Sequence, residues 1–216
     1  MTQKSKVAVI GLGNIGTVVA TNLVKGNRSV IIADRTIEKA NALSQKLGSL
    51  ARPASIAVAI KEADIIIPAI WFNAIKDLLH TYATELQGKI IVDPSNPIAP
   101  DKNGGFKKII DKNQSSGQIL SSFLPKDAKL AKALGTLGAA SLSKAAFQKP
   151  DKAVGFYATD DASINTEIED LIRDNGFEPV RIGGLDQSIR IEVFGDLHEF
   201  GALGKTVTIT EAKQVA

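Results

Sequence analysis

The chain has 216 residues, 44% of them hydrophobic, with 26 basic residues set among 23 acidic ones for a formal net charge of +3. That much apolar sequence can bury a core, so a disordered chain is excluded, and the length suits one domain with at most a small appendage. With no cysteine, disulfides, thiolate catalysis and cysteine-ligated metals are excluded.

The opening, "MTQKSKVAVIG", passes from a short polar lead straight into a strand-like run. It lacks the apolar core and small-residue cleavage site of a signal peptide. No run of about 18 apolar residues would span a membrane. The expectation is a soluble, cytoplasmic protein. Lysines 102, 107, 108 and 112 are interrupted by Asp101 and Asp111, and aromatics make up only 5%. A nucleic-acid surface wants a denser basic stripe with stacking aromatics, so no nucleic-acid partner is expected.

In chain order, "KVAVIGLG" is a strand closed by glycine, and Ile15, Val19 and Leu23 recur at helical spacing after it. "SVIIAD" is a second strand and "TIEKANALSQKLG" a second helix ending at Gly48. "SIAVAIKEA" is a short helix and "DIIIPAI" a strand. A helix bearing Ile75, Leu78, Leu79 and Tyr82 then leads to the strand "GKIIVD". Residues 94–118, rich in Pro, Gly, Asn and Ser, form a long loop. A short helix ends in "ILSSFLP", "AKLAKALGT" is a strand and "AASLSKAAF" a helix. "KAVGFYATD" is a strand, Ile164, Ile168, Leu171 and Ile172 mark a helix, and "EPVRIGG" is the last strand. "LDQSIRIEVFGDLHEFGALG" has a helical pattern interrupted by Gly195.

Apolar strands alternating with amphipathic helices predict an α/β fold, a doubly wound parallel sheet of the Rossmann NAD(P)-binding type. Residues 1–180 would form the dinucleotide-binding domain, and residues 181–216 a small helical cap packed on it.

"GLGNIG" places Gly11, Gly13 and Gly16 in a G-x-G-x-x-G pattern between a strand and a helix, with the acid Asp34 18 residues after Gly16. That context makes it a dinucleotide fingerprint. Gly11 permits the tight turn, Gly13 lets the backbone approach a pyrophosphate, and Gly16 allows close packing of helix on sheet. The phosphates then meet the free N–H groups and positive dipole of the helix start. Selection of the ribose falls to "IADRTIEK". Asp34 would accept hydrogen bonds from an unmodified ribose, as in NAD, whereas Arg35 would pair with a 2′-phosphate, as in NADP. Lys39 lies one turn along the same side, and Thr36 is an N-cap.

Catalytic side chains are scarce. The histidines are His80, at a helix end, and His198, in "GDLHEFG" between acids and glycines. Of the two, only His198 is a candidate for catalysis, and no metal site is expected. Dehydrogenases of alcohols and hydroxyacids must move a proton with the hydride, commonly with Lys, His or Tyr. Transfer between a nicotinamide and a flavin-like ring asks mainly for orientation and exclusion of water. The scarcity favours the second.

"VAVIGLGNIG", "DIIIPAIWFNAI", "IIVDPSNPI", "LGTLGAASL" and "GGLDQSIRIE" together resemble the NADP oxidoreductases of the coenzyme F420-dependent type. The cytosolic reductase domain of the six-transmembrane ferric reductases is a cousin. The resemblance runs over residues 5–205. It implies a Rossmann domain with a small C-terminal part, and hydride exchange between NADP(H) and a flavin or deazaflavin. By position it implies that Gly11, Gly13 and Gly16 hold the pyrophosphate, with backbone contacts from Leu12, Asn14 and Ile15. Arg35 and Lys39 match 2′-phosphate ligands, with Thr36 between them, and Asp34 then turns outward to pair with Arg35. Ala69, Ile70 and Trp71 would line the cofactor, and Ser95, Asn96 and Pro97 would lie by the nicotinamide. Three features depart from the family pattern: Asp34 itself, Gly135 where relatives carry Asn or His, and the loop 99–113 with the ending "FGDLHEFGALGKTVT".

The leading expectation is an NADP(H)-dependent oxidoreductase with a small-molecule flavin-type acceptor, NAD remaining possible. The alternatives are a reductase of a small carbonyl or imine using His198, and a non-catalytic dinucleotide sensor. A homodimer is expected, because so short a cap would use a second copy to complete its core.

Overall fold

Four runs, β1 (Val7–Ile10), β2 (Val30–Ala33), β4 (Ile65–Pro68) and β5 (Ile90–Asp93), are β-branched or apolar almost throughout. In the computed structural model, which describes residues 4–215, they form the centre of one sheet, covered on both faces. Alternation decides which face each residue serves. Val7 and Val9 pack with Val19, Leu23 and Leu171 on one side, whereas Ala8 and Ile10 pack with Ile60, Phe72 and Ile75 on the other.

The remaining strands are β3 (Ala51–Pro53), β6 (Ile98–Pro100), β7 (Phe106–Lys108), β8 (Lys129–Ala133), β9 (Val154–Thr159) and β10 (Glu178–Arg181). The helices are α1 (Asn14–Lys25), α2 (Ile37–Leu47), α3 (Ile56–Glu62), α4 (Phe72–Thr81), α5 (Ser116–Ser121), α6 (Ala139–Ala145), α7 (Asn165–Asp174) and α8 (Ile209–Ala212). Two 3-10 helices cover Ala162–Ile164 and Leu185–Ile191. The sheet order is β10-β9-β8-β5-β4-β1-β2-β3. From β1 the chain winds outward through β2 and β3 on one side, and through β4, β5 and β8 on the other. The crevice between β1 and β4 is the switch point, where open α/β sheets take ligands beyond the carboxyl ends of their strands.

The expected α/β Rossmann-type fold is present, and four details of it differ from expectation. The sheet is mostly rather than wholly parallel, because β9 runs antiparallel to β8, with Lys132 opposite Ala158, and β10 follows β9. An apolar strand buried on both faces looks alike in either direction. β3, an edge strand of three residues with one proline, carries no strand-like pattern and was not expected. The long loop holds an antiparallel hairpin, β6 and β7, with Ile98 opposite Lys108, and α5 begins at Ser116 behind a Ser115 cap. The stretch after β10 is not a helix: beyond the 3-10 turn it runs as successive turns to Gly204, and α8 lies further on. Gly195 and Gly201 explain this, since a Cβ on Gly201 would collide with the Gly195 carbonyl. Ile191, Leu197, Val207 and Ala212 of this last segment pack on Val154, Phe156 and Ala158 of β9. Among the described residues, no helix is long and apolar enough to cross a membrane.

On one face, α1, α6 and α7 meet around two buried amides. Asn22 donates to Asn175 Oδ1 (3.2 Å) and to the Leu142 carbonyl (3.2 Å), and Asn175 donates to the Val19 carbonyl (3.1 Å). Removing one member leaves buried groups unpaired, which costs about 1–3 kcal/mol. Asn175→Ala is expected to lower the unfolding free energy in urea by about that amount. The double variant with Asn22→Ala should lose less than the sum of the two single changes.

Candidate cofactor site

The turn after β1 carries three glycines in three situations. Gly11 has φ +92, and a Cβ there would stand 2.7 Å from the Ala69 carbonyl oxygen and nearer still to the Ile70 side chain. At Gly16 a Cβ would collide with the Gly11 carbonyl and lie 3.0 Å from Ala69 Cβ. These two are glycine because the fold demands it. Gly13, the N-cap of α1, has an ordinary extended φ of −78, and a Cβ would meet nothing within 4 Å. It is exposed, as is Asn14. No side chain caps α1, and no acidic residue occupies its first turn. The helix start therefore presents free N–H groups and a positive dipole end to an open surface, with Leu12 and Ile15 flanking it.

Asp34 follows β2 and is only 12% exposed at its side chain. Its Oδ2 accepts the Leu12 N–H (2.8 Å) and its Oδ1 the Thr36 N–H (3.0 Å). Burial opposes its ionisation, but these two N–H groups, with Lys39 and Arg35 nearby, hold its pKa below the ordinary carboxylate value. The expected outward turn and pairing with Arg35 are corrected. Asp34 is drawn inward by two backbone donors, and its cationic neighbour is Lys39, at 4.0 Å. Arg35, Thr36 and Lys39 are exposed. Thr36 is the N-cap of α2, but its hydroxyl makes no capping bond.

Ala69, Ile70 and Trp71 follow β4, and Ala69 and Ile70 press against the glycine turn at Gly11 and Gly16. Trp71 is 58% exposed, and its ring lies 6.5 Å from that of Phe106 on the hairpin. With Phe72, Ile98, Pro100 and Ile109 it lines an apolar hollow of about 180 Å³.

Ser95, Asn96 and Pro97 leave β5. The Asn96 side chain donates to the Gly135 carbonyl (3.0 Å) and accepts the Val193 N–H (2.7 Å), tying three segments of the chain together. Gly135 is forced by packing, because a Cβ there would strike the Pro94 carbonyl. His198 lies beside it, 1% exposed. Its Nε2 lies 3.1 Å from the Gly135 carbonyl oxygen, which only a protonated Nε2 can use, and its Nδ1 accepts the Phe200 N–H (3.0 Å). Both nitrogens are thus engaged by the protein. Glu199 accepts the N–H of Gly138 at the start of α6.

Behind this loop is a cluster that the sequence reading missed. The Lys132 ammonium donates to Asp93 Oδ2 (2.7 Å), to Ser116 Oγ (2.7 Å) and to the Ser95 carbonyl. Ser116 donates to Glu192 Oε1 (2.8 Å), which also accepts the Gly117 N–H (3.3 Å). Asp93, Lys132 and Glu192 are all buried. The signal was present in "AKLAKALGT" and "IIVD", where Lys132 and Asp93 occupy apolar strands at positions that register places side by side.

Burial pushes the His198 pKa down to about 4, against a partly offsetting bond to the Gly135 carbonyl. Between the unfolded value of about 6.5 and that value, the unfolded chain binds the proton and the folded chain does not, so stability rises with pH. Unfolding free energy is expected to fall as pH drops from 6.5 towards 4, by at most about 1.4 kcal/mol per unit. Denaturation curves of His198→Asn should lack that part of the slope.

Comparison with known proteins finds similar chains. Residues 6–97 match the family model described as NADP oxidoreductase, coenzyme F420-dependent. The metalloreductase STEAP3 of Rattus norvegicus is 26% identical over 87% of this chain, which spans 36% of that protein's length. A glutamyl-tRNA reductase of Caldivirga maquilingensis is 40% identical over 43% of this chain and 23% of its own length. The chain thus spans about a third or less of these relatives. Among solved structures, a hypothetical protein of Sinorhizobium meliloti is 27% identical with a TM-score of 0.80, covering 94% of this chain and 95% of that one. A candidate F420-dependent NADP reductase of Arthrobacter sp. FB24 shares the fold, at 24% identity and a TM-score of 0.72, over 86% and 87% of the two chains. Over residues 6–97 the chain is therefore similar to the coenzyme F420-dependent NADP oxidoreductase family, and its sheet is mostly parallel and Rossmann-like.

Proposed function

We propose that this protein uses NADP(H) to pass a hydride between the nicotinamide and a flavin or deazaflavin acceptor. The observation that carries the cofactor half is Gly13. Neither its φ nor its surroundings require glycine, yet it stands at the uncapped start of α1. A residue that the fold does not need to be glycine, at the point where N–H groups face outward, is accounted for by a ligand approaching the backbone.

The residues present fit the group. The N–H groups at the start of α1 would hold the pyrophosphate. Arg35 and Lys39, exposed and on one side, would pair with the 2′-phosphate, while Asp34 is occupied in joining the two turns. Ala69, Ile70 and Trp71 would flank the cofactor, and Ser95, Asn96 and Pro97 would border the nicotinamide end. When bound, the nicotinamide supplies the hydride. The protein's part is to orient the reacting groups and exclude water. His198 has no role in proton transfer in this reading, since both its nitrogens are engaged and it is buried. That favours an acceptor that asks little acid–base help over a carbonyl or imine.

Residues 1–180 serve as the cofactor-binding unit and 181–216 as the cap in this reading, in a cytoplasmic homodimer. Phe194 and Phe200, exposed on the cap, support the dimer.

A Gly13→Ser change tests the cofactor half. Serine suits an N-cap, so stability should be unchanged or raised by a few tenths of a kcal/mol. NADPH affinity measured by fluorescence titration should fall at least about ten-fold. Arg35→Ser should weaken NADPH by about 1.5–3 kcal/mol and leave NADH unaffected. Equal wild-type affinity for NADH and NADPH would overturn the cofactor choice. Absence of NADPH oxidation with FMN, FAD, riboflavin and a deazaflavin would overturn the acceptor.

A further inference from the structure

The peptide of Ser95 is held from both sides. Its N–H donates to Asp93 Oδ1 (2.7 Å), and its carbonyl accepts from the Lys132 ammonium. Lys132 thereby spends one of its three donors on the loop, and Asp93 and Ser116 take the other two. The next loop residue is tied to the same surroundings, since Asn96 Oδ1 accepts the N–H of Val193, the residue after Glu192. Glu192 is in turn held by Ser116 and Gly117 at the start of α5. Two consecutive residues of the loop are thus set by one buried ionic cluster and by the chain that adjoins it.

Stability alone does not call for such a cluster. Buried ion pairs replaced as a set by apolar residues of similar volume often leave a protein as stable or more so. An apolar set in place of Asp93, Lys132 and Glu192 could fill the same space between β5 and β8. It would not supply a donor to the Ser95 carbonyl, nor fix the Ser116 hydroxyl between Lys132 and Glu192. The Ser95 hydroxyl itself is buried and has no partner among the described residues.

We propose that Lys132 and Glu192 are positioning residues for the nicotinamide end of the cofactor, acting through the main chain of Ser95 and the side chain of Asn96. The inference rests on the reading above, that this loop borders the nicotinamide. Neither residue touches the cofactor in this proposal; they set the loop that does.

The test compares NADP+ with 2′-phospho-ADP-ribose, the same molecule without its nicotinamide, by isothermal titration of the full chain. The ratio of the two affinities reports the nicotinamide end alone. In Lys132→Met and Glu192→Gln that ratio should fall by about five-fold, the loss of a positioned hydrogen bond, with 2′-phospho-ADP-ribose affinity held within about two-fold. Because Lys132→Met leaves the Asp93 and Glu192 carboxylates both buried without their cation, the triple variant Asp93→Asn/Lys132→Met/Glu192→Gln serves as the folding control. It should melt near the wild type and still show the reduced ratio. A ratio unchanged in the folded triple variant, or an equal loss of both ligands, overturns the proposal and leaves the cofactor reading standing. A wild type that binds both ligands equally overturns it as well, since the loop then contributes nothing to the nicotinamide. A wild type that binds neither ligand overturns the cofactor reading, and the proposal with it.

Discussion

The close approach of the turn after β1 to the end of β4 governs the rest of the molecule. With no side chain at Gly11 or Gly16, the first turn of α1 can settle against Gly11's own carbonyl and against Ala69. That brings the start of α1 over the crevice between β1 and β4, where the winding of the sheet reverses. Asp34 then joins this turn to the one after β2 by accepting N–H groups from both. Three strand ends are held at fixed spacing by one steric condition and one carboxylate. Gly13, where an added Cβ would meet nothing within 4 Å, stands exposed beside them.

The other half of the crevice rests on charge rather than on sterics. Asp93 and Lys132 stand side by side on β5 and β8, and their pairing reaches through Ser116 to Glu192. Desolvating these groups is expensive, and the cost is offset only while the partners stay together. Loss of one member strands the others, which makes the cluster an all-or-none fastening. The segment from Glu192 to Phe200 is drawn over the strand ends by it, with Val193 on Asn96, His198 on Gly135 and Glu199 on Gly138.

What was legible in the sequence follows from how local each feature is. The strands around β1, the helices between them and the glycine turn each lie within a few consecutive residues, and their periodicity and punctuation could be read directly. The direction of β9 could not, because a strand buried on both faces has the same pattern either way. The hairpin at Ile98 and Phe106 was hidden because each strand has only three residues and the first ends in proline. The segment after β10 has apolar spacing close to that of a helix, but the packing of Gly201 on Gly195 dictates turns. In the site, residue types and positions could be named from the motif, but their partners could not. Lys132 bonds to a residue 39 positions away, and Asn96 to one 97 positions away. The turn of Asp34 towards Leu12 depends on how two loops meet, which one sequence motif does not encode.

The two outermost strands share a property. β3 reads Ala-Arg-Pro and β10 reads Glu-Pro-Val-Arg, so each edge carries a proline and at least one charged residue. A proline has no N–H to offer an incoming strand, and charges along an edge repel further pairing. The sheet therefore closes itself off at eight strands. Both edges of this sheet thus resist continuation of the sheet from one molecule to the next. The same blunted edges protect the chain from strand-to-strand aggregation, a hazard that an apolar sheet of this width would otherwise carry.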